Sequence, residues 1–548
     1  MSLRPAEIAP VPAGTAQTAA AAFPKGCPAM RMRDELGTIY DDRVFAPLYP
    51  ARGQPAHSPW RLALVTVLQF AEGLSDRQAA DAVRGRIDWK YALGLDLADP
   101  GFDFSVLCEF RARLVAGGLE QALLDVMLAR FRERGLLKAR GRQRTDSTHV
   151  LAAVRAVNRL ESVGETLRAA LNALAAAAPE WLARHADAEW ADRYGRRFEE
   201  SRLPKGEGPR KTLGEAIGAD GHRLLAAVYA PAAPPWLRRL PAVQTLRRAW
   251  VHQFYLEGER VAWRDRAELP PAGLRFDSPY DPDARYGNKR STTWSGYKAH
   301  LTETCDADRP HLVVHVETTP APVSDVAMTA PVHEALRAKG LPPGTHLVDA
   351  GYVDADLLLD AQAEHGVALV GPVRPDVSWQ AKAGQGYDIS AFAVDWDAKA
   401  VTCPRGHRSV DWVPGHDRWG TATVHVAFAK ATCRTCPSRP LCTRAKTAPR
   451  EMTFRRPGRH EAIQAARQRQ ETAEWRALYG VRAGIEGCLS QAVRLCGLRR
   501  ARYAGLAKTH LQHLATAAAL NVVRLDAWLR GRPRAATRTS RFVRLMAA

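Results

Sequence analysis

Strand-like and helical segments alternate between residues 295 and 373, and this alternation limits the fold more than any other feature of the chain. Apolar and β-branched runs of strand length occur in SGYKAHLTETC, HLVVHVETT, THLVDAG and VALVGPV. The helical segments SDVAMTAPVHEALRAKG and DADLLLDAQAEHG separate the later strands. Because strands joined by crossover helices usually pair in parallel, we predict an α/β core with at least partly parallel strand pairing.

One more strand is predicted far upstream, around Asp146. In RQRTDSTHVLAAV, β-branched residues lie on both sides of this acid, which is typical of a short strand. Residues 155–270 are instead rich in Ala, Leu and Arg, with proline-rich breaks, and are predicted to form a helical insertion. We place the core in residues 141–154 and 271–371, a second, Cys-containing insertion in residues 372–450, and closing helices in residues 451–530.

Residues 35–140 are predicted to form a helical domain. Ser58 and Pro59 are suited to the N-cap and first position of a helix that runs to the turn EGLS. Ser75 and Gln78 have the spacing of a capping box, which predicts a second helix directly afterwards. Two helices joined by so tight a turn resemble a helix-turn-helix that binds DNA. Plain helical packing or dimerisation is the alternative.

Both ends of the chain are expected to lie outside the fold. Residues 1–34 are rich in Ala and Pro and are expected to be a flexible leader. Residues 531–548 form a basic tail, which we expect to be mobile until it meets a polyanion.

The charge of the chain indicates a polyanionic partner. It has 78 Lys and Arg against 58 Asp and Glu, a formal charge of +20 and a pI near 9.8. Nucleic acid is the leading candidate. An anionic membrane is disfavoured because no run of about 18 apolar residues occurs. Since no export signal is apparent, we expect a cytoplasmic protein associated with the bacterial nucleoid, with its nine cysteines as thiols or metal ligands.

Three acids, Asp146, Asp349 and Glu486, are candidate metal ligands. Asp146 lies in a predicted strand and Asp349 at the end of another, and sites form at the carboxyl ends of strands in open α/β sheets. Carboxylates that converge there suit Mg²⁺ or Mn²⁺, which prefer oxygen ligands. Two such ions about 4 Å apart would clamp the attacking and leaving oxygens of a phosphodiester. The alternative is that each acid only caps the helix that follows it.

The stretch LYGVRAGIEGCLSQAVRLC places one acid among arginines. Tyr479, Arg482 and Glu486 are spaced so that a regular helix would present them on one face. The three glycines nearby, each costing roughly 1 kcal/mol relative to Ala, suggest that another group approaches the backbone closely. In the alternative interpretation, Arg482 and Glu486 form an ordinary i,i+4 ion pair worth a few tenths of a kcal/mol.

The same three residues match the Y-x2-R-x3-E signature of a large group of DDE transposases from bacterial insertion sequences. The segments TDSTHVLAAV, YDPDARYGNKRSTTWSGYKAHLTETC, LVDAGYVDADLL and GLRRARYAGLAKTHLQHLATAAALNVVRL also resemble that family. The region from Asp41 to Arg113 resembles its helical DNA-binding domain. The resemblance covers most of the chain between residues 35 and 530.

This resemblance implies an RNase H-like core in which Asp146, Asp349 and Glu486 hold two metal ions. It implies that Tyr479 and Arg482 support the site or contact DNA near the cleaved phosphate. Basic and aromatic residues nearby are expected to contact DNA. They are Lys289, Arg290, Trp294, Tyr297, Lys298, Arg494, Arg499, Arg500 and Arg502. For those up to and including Lys298, a solvated strand edge is the alternative.

The second insertion carries a candidate zinc site. Cys433 and Cys436 form a Cys-x2-Cys pair, Cys403 and Cys442 lie on either side, and His407 is an alternative ligand. Such a pair is a usual part of a structural Zn²⁺ site, but the strongest signals contain two pairs. Buried or free thiols are the alternative.

These features together predict a transposase that acts on double-stranded DNA as a homodimer. It would bind the terminal inverted repeats of its element, hydrolyse a phosphodiester at each end, and join the 3′ ends to target DNA. Two alternatives stay open: a metal-dependent nuclease or junction resolvase on the same fold, and a catalytically silent DNA-binding regulator.

Overall fold

The computed structural model describes residues 1–534 except 156, 272, 290 and 419, together with residues 542, 545 and 546. Most of the predicted basic tail therefore lies outside the described residues. The fold is mixed α/β, as predicted, with helices at both ends of the chain and a central sheet.

The N-terminal region is a bundle of short helices that shares one hydrophobic core with the sheet. It contains α1 (Ala13–Ala22), α2 (Pro28–Leu36), α3 (Asp42–Phe45), α4 (Pro59–Glu72), α5 (Asp76–Gly85), α6 (Ile87–Leu93), α7 (Ser105–Ala116) and α8 (Ala122–Glu133). The predicted helix starts are confirmed. Pro59 is the first residue of α4, although the Ser58 side chain makes no cap bond. Ser75 and Gln78 form both bonds of a capping box at α5.

The N-terminal segment differs from the flexible leader that we expected. Its two helices pack on the rest of the molecule: Thr15 Oγ1 donates to the Leu95 carbonyl at 2.8 Å, and Arg31 pairs with Asp526 at 2.6 Å. Ala19 is fully buried. The alanine-rich composition that suggested a leader instead suits a helix in close contact with its neighbours, because Ala has the highest helix propensity and a small side chain.

The first strand, β1 (Arg142–Leu151), is followed by a helical insertion with a hydrophobic core of its own. The insertion contains α9 (Arg159–Ala177), α10 (Pro179–His185), α11 (Glu189–Tyr194), α12 (Glu207–Tyr229), α13 (Pro241–Gln253), β2 (Phe254–Glu257) and β3 (Arg260–Trp263). Its helical character is confirmed. The hairpin of β2 and β3 was not predicted; it turns at Gly258, whose φ of 62° favours glycine in a two-residue hairpin loop.

The central sheet is built around β1. Its other strands are β4 (Arg285–Lys289), β5 (Thr292–Thr304), β6 (Val313–Pro320), β7 (Thr345–Leu347) and β8 (Ala368–Val370). β5 pairs antiparallel with β1 on one edge and with β4 and β6 on the other. β1 pairs parallel with β7, and β7 pairs parallel with β8, which confirms the partly parallel sheet.

Two helices accompany the parallel strands, and the second insertion follows them. α14 (Thr329–Ala338) precedes β7, and α15 (Ala355–His365) precedes β8. The insertion has a small apolar core. It contains α16 (Trp379–Ala383), β9 (Ala393–Asp395), β10 (Ala400–Thr402), β11 (Asp411–His416), β12 (Ala422–Ala427), α17 (Lys430–Arg434), α18 (Arg439–Cys442) and β13 (Glu451–Arg455).

Four helices lie between residues 459 and 529: α19 (Arg459–Gln470), α20 (Ala473–Gly480), α21 (Gly484–Cys496) and α22 (Leu506–Leu529). α22 is buried along most of its length and packs against β6 and α4, so it joins the sheet to the N-terminal bundle. α21 lies between β1 and α4. Among the helices of the described residues, none combines the length and apolar character needed to cross a membrane.

Candidate active site

Strand pairing brings Asp146 and Asp349 to the same level of the sheet. In the parallel pair of β1 and β7, Arg144 lies opposite Leu347. Asp146 comes two residues after Arg144, and Asp349 comes two residues after Leu347. Because the strands are parallel, both carboxylates lie at the same end of this pair. Asp349 caps the 3₁₀ turn that follows β7, with its Oδ1 accepting from the Gly351 N–H at 2.8 Å. Capping and metal binding are compatible, because the second oxygen of Asp349 is not used by the cap.

Asp146 is largely buried and is paired with Arg482. Its side chain is 11% exposed, and Oδ2 accepts a hydrogen bond from Arg482 Nη2 at 2.6 Å. Oδ1 accepts from the Ser147 N–H at 2.7 Å. Burial raises the pKa of Asp146, Arg482 and the Ser147 N–H lower it, and the charge of Asp349 raises it again. The net result is a pKa above the ordinary value, so this carboxylate depends on positive charge to stay ionised.

The signature residues Tyr479, Arg482 and Glu486 do not share one regular helix, which corrects the prediction. Tyr479 is in α20, Arg482 is in a 3₁₀ turn over residues 481–483, and Glu486 is in the first turn of α21. The tighter turn interrupts the 3.6-residue period, so the three side chains converge from successive elements and not along one helical face.

Contacts of Arg144 stabilise the 3₁₀ turn over residues 481–483. This β1 residue donates to the Val481 carbonyl, and its guanidinium fills the space beside Gly484. A Cβ at Gly484 would lie 2.1 Å from Arg144 Nη1. Glu303 of β5 holds Arg144 from the other side at 2.7 Å, and both side chains are buried. The close backbone approach expected at the glycines is therefore found at Gly484, but at Gly480 and Gly487 no neighbouring atom lies within 4 Å.

Glu486 is the exposed member of the three acids. Its side chain is 69% exposed, and Oε1 lies 3.5 Å from Arg482 Nη1. The i,i+4 pair of the alternative interpretation is thus present, but the same guanidinium also binds Asp146, so Arg482 bridges two acids that are 340 residues apart in the chain. The opposite face of α21 anchors it in the core through Ile485, Cys488, Leu489, Ala492 and Cys496.

Tyr479 stacks on Trp475 and lies within electrostatic reach of the three acids. The two rings are 4.7 Å apart and nearly parallel. Burial raises the pKa of Tyr479, Arg482 lowers it, and Asp349, Asp146 and Glu486 raise it. All three candidate ligands are therefore close enough to act on this hydroxyl. Trp475 was not identified from the sequence, although its i,i+4 spacing to Tyr479 on a helix was a usable signal.

A fourth acid, Asp325, borders the site and was also missed. Its Oδ1 accepts from Ser147 Oγ and from Lys298 Nζ, both at 3.1 Å, and its Oδ2 lies 3.6 Å from Lys289 Nζ. Burial would raise the pKa of Asp325, but Lys298, Lys289 and His300 together hold it below the ordinary value. Asp325 therefore positions both predicted DNA-contacting lysines. In sequence it has the appearance of an ordinary acid at a helix start.

The other predicted DNA contacts of the core differ in their exposure. Lys289 is exposed and Lys298 is largely buried. Trp294 does not fit the prediction: it is 5% exposed, donates to the Tyr297 carbonyl, and packs against His149, so it stabilises the sheet. An aromatic residue on a strand is more often core than surface, because its large apolar area favours burial. Arg290 lies outside the described residues.

The four C-terminal arginines are all exposed: Arg494, Arg499, Arg500 and Arg502. Arg499 donates to Thr148 Oγ1 at 2.9 Å. Thr148 lies on β1 two residues after Asp146, so Arg499 contacts the strand close to this acid. Arg502 lies over the Phe70 ring and donates to the Leu74 carbonyl, at the turn between α4 and α5. The predicted contacts therefore extend from the acids to the N-terminal helices.

The four cysteines of the second insertion line one small cavity together with His407. Burial raises the pKa of the Cys442 thiol, Arg450 lowers it, and Cys433, Cys403 and Cys436 raise it. Their convergence agrees with the predicted zinc site. Yet across the described ranges no three His, Cys, Asp or Glu side chains are grouped closely enough to hold a metal ion as they stand. Zinc therefore stays a prediction, which elemental analysis of the purified protein would test.

Two family models match the chain. The model described as Transposase DDE domain matches residues 402–526, and the model described as Transposase domain (DUF772) matches residues 21–113. Together the two matches support a DDE transposase of an insertion sequence. No curated protein matches this transposase. The DDE match includes Arg482 and Glu486, whereas Asp146 and Asp349 lie outside both ranges, so their part in the site depends on the geometry described above.

Proposed function

We propose that this transposase cleaves the ends of its element and joins the freed 3′ ends to target DNA, using Asp146, Asp349 and Glu486. The observation that carries the proposal is the bridge made by Arg482. One guanidinium contacts both Asp146 and Glu486, while Asp349 is close enough to raise the pKa of Asp146. Three acids from distant parts of the chain thus share one electrostatic environment at the end of the sheet, as expected of a catalytic centre.

The arrangement of the sheet supports an RNase H-like core. β1 is central, β5 and β6 form an antiparallel extension on one side, and β7 and β8 lie parallel on the other. Asp146 comes from the central strand, Asp349 from the end of its parallel neighbour, and Glu486 from a helix packed on β1.

The chemistry of the donor set suits Mg²⁺ or Mn²⁺, which prefer carboxylate oxygens. Among the described residues, however, the three acids are not grouped closely enough to hold an ion as they stand. Asp146, Asp349 and Glu486 would hold the ions, and Arg482, which now neutralises two of these acids, would release at least one of them. When bound, a pair of ions would stabilise the charge that develops on the attacking and leaving oxygens of a phosphodiester. Arg482 and Lys289 would hold the phosphate, and the stacked pair of Trp475 and Tyr479 offers an aromatic surface for a neighbouring base.

The N-terminal helices are proposed to bind the terminal inverted repeats. Arg77, Gln78, Asp81 and Arg84 lie on the exposed face of α5, the second helix of the predicted helix-turn-helix, where they could reach base edges. Joining two element ends requires at least two copies of the chain, so we propose a homodimer on DNA.

Strand transfer tests the function directly. The purified protein, incubated with DNA carrying one element end and Mg²⁺, is expected to produce 3′ ends at one nucleotide position and to join a pre-cleaved end to a target plasmid. Sequencing of the products measures both steps. Cleavage without joining would favour a nuclease or resolvase, and binding without either reaction would favour a silent regulator.

The pH dependence of cleavage should reveal the pairing of Asp146 with Arg482. Asp146 must be ionised to bind a cation, and Arg482 lowers its pKa against the effect of burial. In Arg482→Gln that pKa rises further, so the acidic limb of the cleavage profile is expected to move to higher pH. The stability of the variant should also depend on pH. Because the pKa of Asp146 in the folded protein lies above its ordinary value, folding favours the protonated acid, and stability is lost as pH rises through that folded-state pKa.

Arg499→Gln is the matched control for this profile. Arg499 contacts β1 through Thr148 but is not among the charges that act on Asp146. Its replacement is expected to change the rate without moving the acidic limb. An unchanged limb in Arg482→Gln would contradict the assignment of Asp146.

A further inference from the structure

A group of arginines that the proposed function does not use surrounds the junction between the helical insertion and β4. We call it the arginine cluster. Its members are Arg159, Arg247, Arg248, Arg264, Arg266, Arg275 and Arg285. Arg247, Arg248 and Arg266 are exposed, and the others are half-buried.

The arginine cluster lacks compensating acids at contact distance. Within the described part of the chain, none of its members forms an ion pair. They contact neutral groups instead: Arg248 donates to the Pro282 carbonyl and lies over the Phe276 ring, and Arg264 donates to the Val251 carbonyl. Elsewhere on the insertion, arginines such as Arg210 are paired with acids.

The cationic members act on one another. Burial, Arg266 and Arg275 lower the pKa of Arg159 and Asp265 raises it, with a net value of about 10. Burial and Arg248 lower the pKa of Arg285, while Asp283, Tyr297 and Asp277 raise it by less. Such mutual repulsion raises the free energy of the folded state, and a bound polyanion would relieve it.

Two open clefts border the cluster. The first, of about 460 Å³, is lined by Arg159, Arg266, Arg275, the exposed ring of Tyr286 and one acid, Asp277. The second, of about 380 Å³, is lined by Arg247, Arg248 and His252. Cationic groups with an exposed aromatic ring are the combination used to bind nucleic acid strands.

Strand β4 connects the cluster to the candidate active site. It begins at Arg285 and ends at Lys289, a distance of about 13 Å at the usual rise of a strand. Lys289 lies against Asp325, which in turn contacts Ser147 beside Asp146. A phosphate backbone that leaves the acids along β4 would therefore reach Arg285 within a few nucleotides.

We propose that the arginine cluster binds the phosphate backbone of the DNA segment that adjoins the cleaved phosphodiester. This inference rests on the proposed function, because it takes DNA as the substrate. DNA is favoured over other polyanions because β4 makes the cluster continuous with the site. The helical insertion is thus a DNA clamp that holds the substrate on the catalytic sheet.

The salt dependence of DNA binding tests the proposal. Arg248→Ala, Arg266→Ala and Arg275→Ala are combined in one variant, and binding to a mixed-sequence duplex is measured over a fourfold rise in salt. Each lost phosphate contact reduces the slope of log K against log salt by about 0.9. The loss of affinity over that range is therefore expected to be about 40-fold smaller than for the wild type.

The control removes the same charge elsewhere on the insertion. Arg184, Arg196 and Lys205 are exposed and outside the cluster, and their triple alanine variant should keep the wild-type slope. Equal slopes for the two triple variants would overturn the inference. It would also be overturned if the cluster variant lost binding to anionic lipid vesicles but kept the wild-type slope for DNA. If the cluster variant does not fold, Arg266→Glu alone repeats the test on one exposed side chain. A wild-type protein that binds no DNA would instead refute the proposed function itself.

Discussion

Asp349→Asn is expected to reduce DNA cleavage and strand transfer by a factor on the order of a hundred to a thousand, the scale on which single groups stabilise a charged transition state. DNA binding should survive. The asparagine Oδ1 can still accept from the Gly351 N–H, so the turn after β7 keeps its cap, and only the negative charge is lost. Cleavage rates with Mg²⁺, measured beside DNA affinity on the same preparation, separate the two effects.

The chain offers a close control in Asp354→Asn. Asp354 lies five residues further along and also caps a turn of helix, its Oδ1 accepting from the Leu357 N–H at 2.8 Å at the start of α15. It is exposed, and it is not part of the group around Arg482. This variant should cleave at nearly the wild-type rate. Equal activities for the two variants would remove Asp349 from the site.

Gly484→Ala and Gly487→Ala are expected to change stability in opposite directions. At Gly484 the added methyl would lie 2.1 Å from Arg144 Nη1, and Arg144 is held by buried contacts to Glu303 and Val481. Overpacking of this kind costs about 1–3 kcal/mol. At Gly487 no neighbouring atom lies within 4 Å, so alanine should stabilise α21 by up to about 1 kcal/mol.

The same pair of variants tests how the site is assembled. Displacing Arg144 would release the 3₁₀ turn that carries Arg482, so Gly484→Ala should also lose most of its cleavage activity. Gly487→Ala should remain active. Denaturant midpoints and cleavage rates measure the two properties. A fully stable and active Gly484→Ala protein would mean that Arg144 does not determine where Arg482 lies.

Much of the secondary structure was predictable because it is set by local chemistry. The capping box at Ser75 and Gln78, the strand around Asp146 and the alternation that gives β7 and β8 depend on neighbouring residues only. The hairpin of β2 and β3 was missed because FYLEGERVAW is too short to outweigh the helical composition around it. The folded N-terminus was missed because composition does not reveal what a helix packs against.

The sequence indicated which residues to propose for the candidate site, and not how the site is constructed. Tyr479, Arg482 and Glu486 carry a recognisable spacing, but a regular helix was the wrong geometry for them, since Arg144 and Glu303 act from strands more than 170 residues away. Asp325 and Trp475 looked ordinary in sequence. Trp294 looked like a DNA contact, and its burial depends on the packing of β4, β5 and His149.

The sequence by itself indicated the type of protein, its cationic character and the acids proposed for the site, because these depend on residue identity and short spacing. Tertiary structure decided which side chains meet: Arg482 between Asp146 and Glu486, Asp325 with its lysines, and the seven arginines at the edge of the insertion. Contacts of this kind join residues from distant parts of the chain. Their energies arise only when burial and strand pairing bring the charges together, and no local pattern encodes that distance.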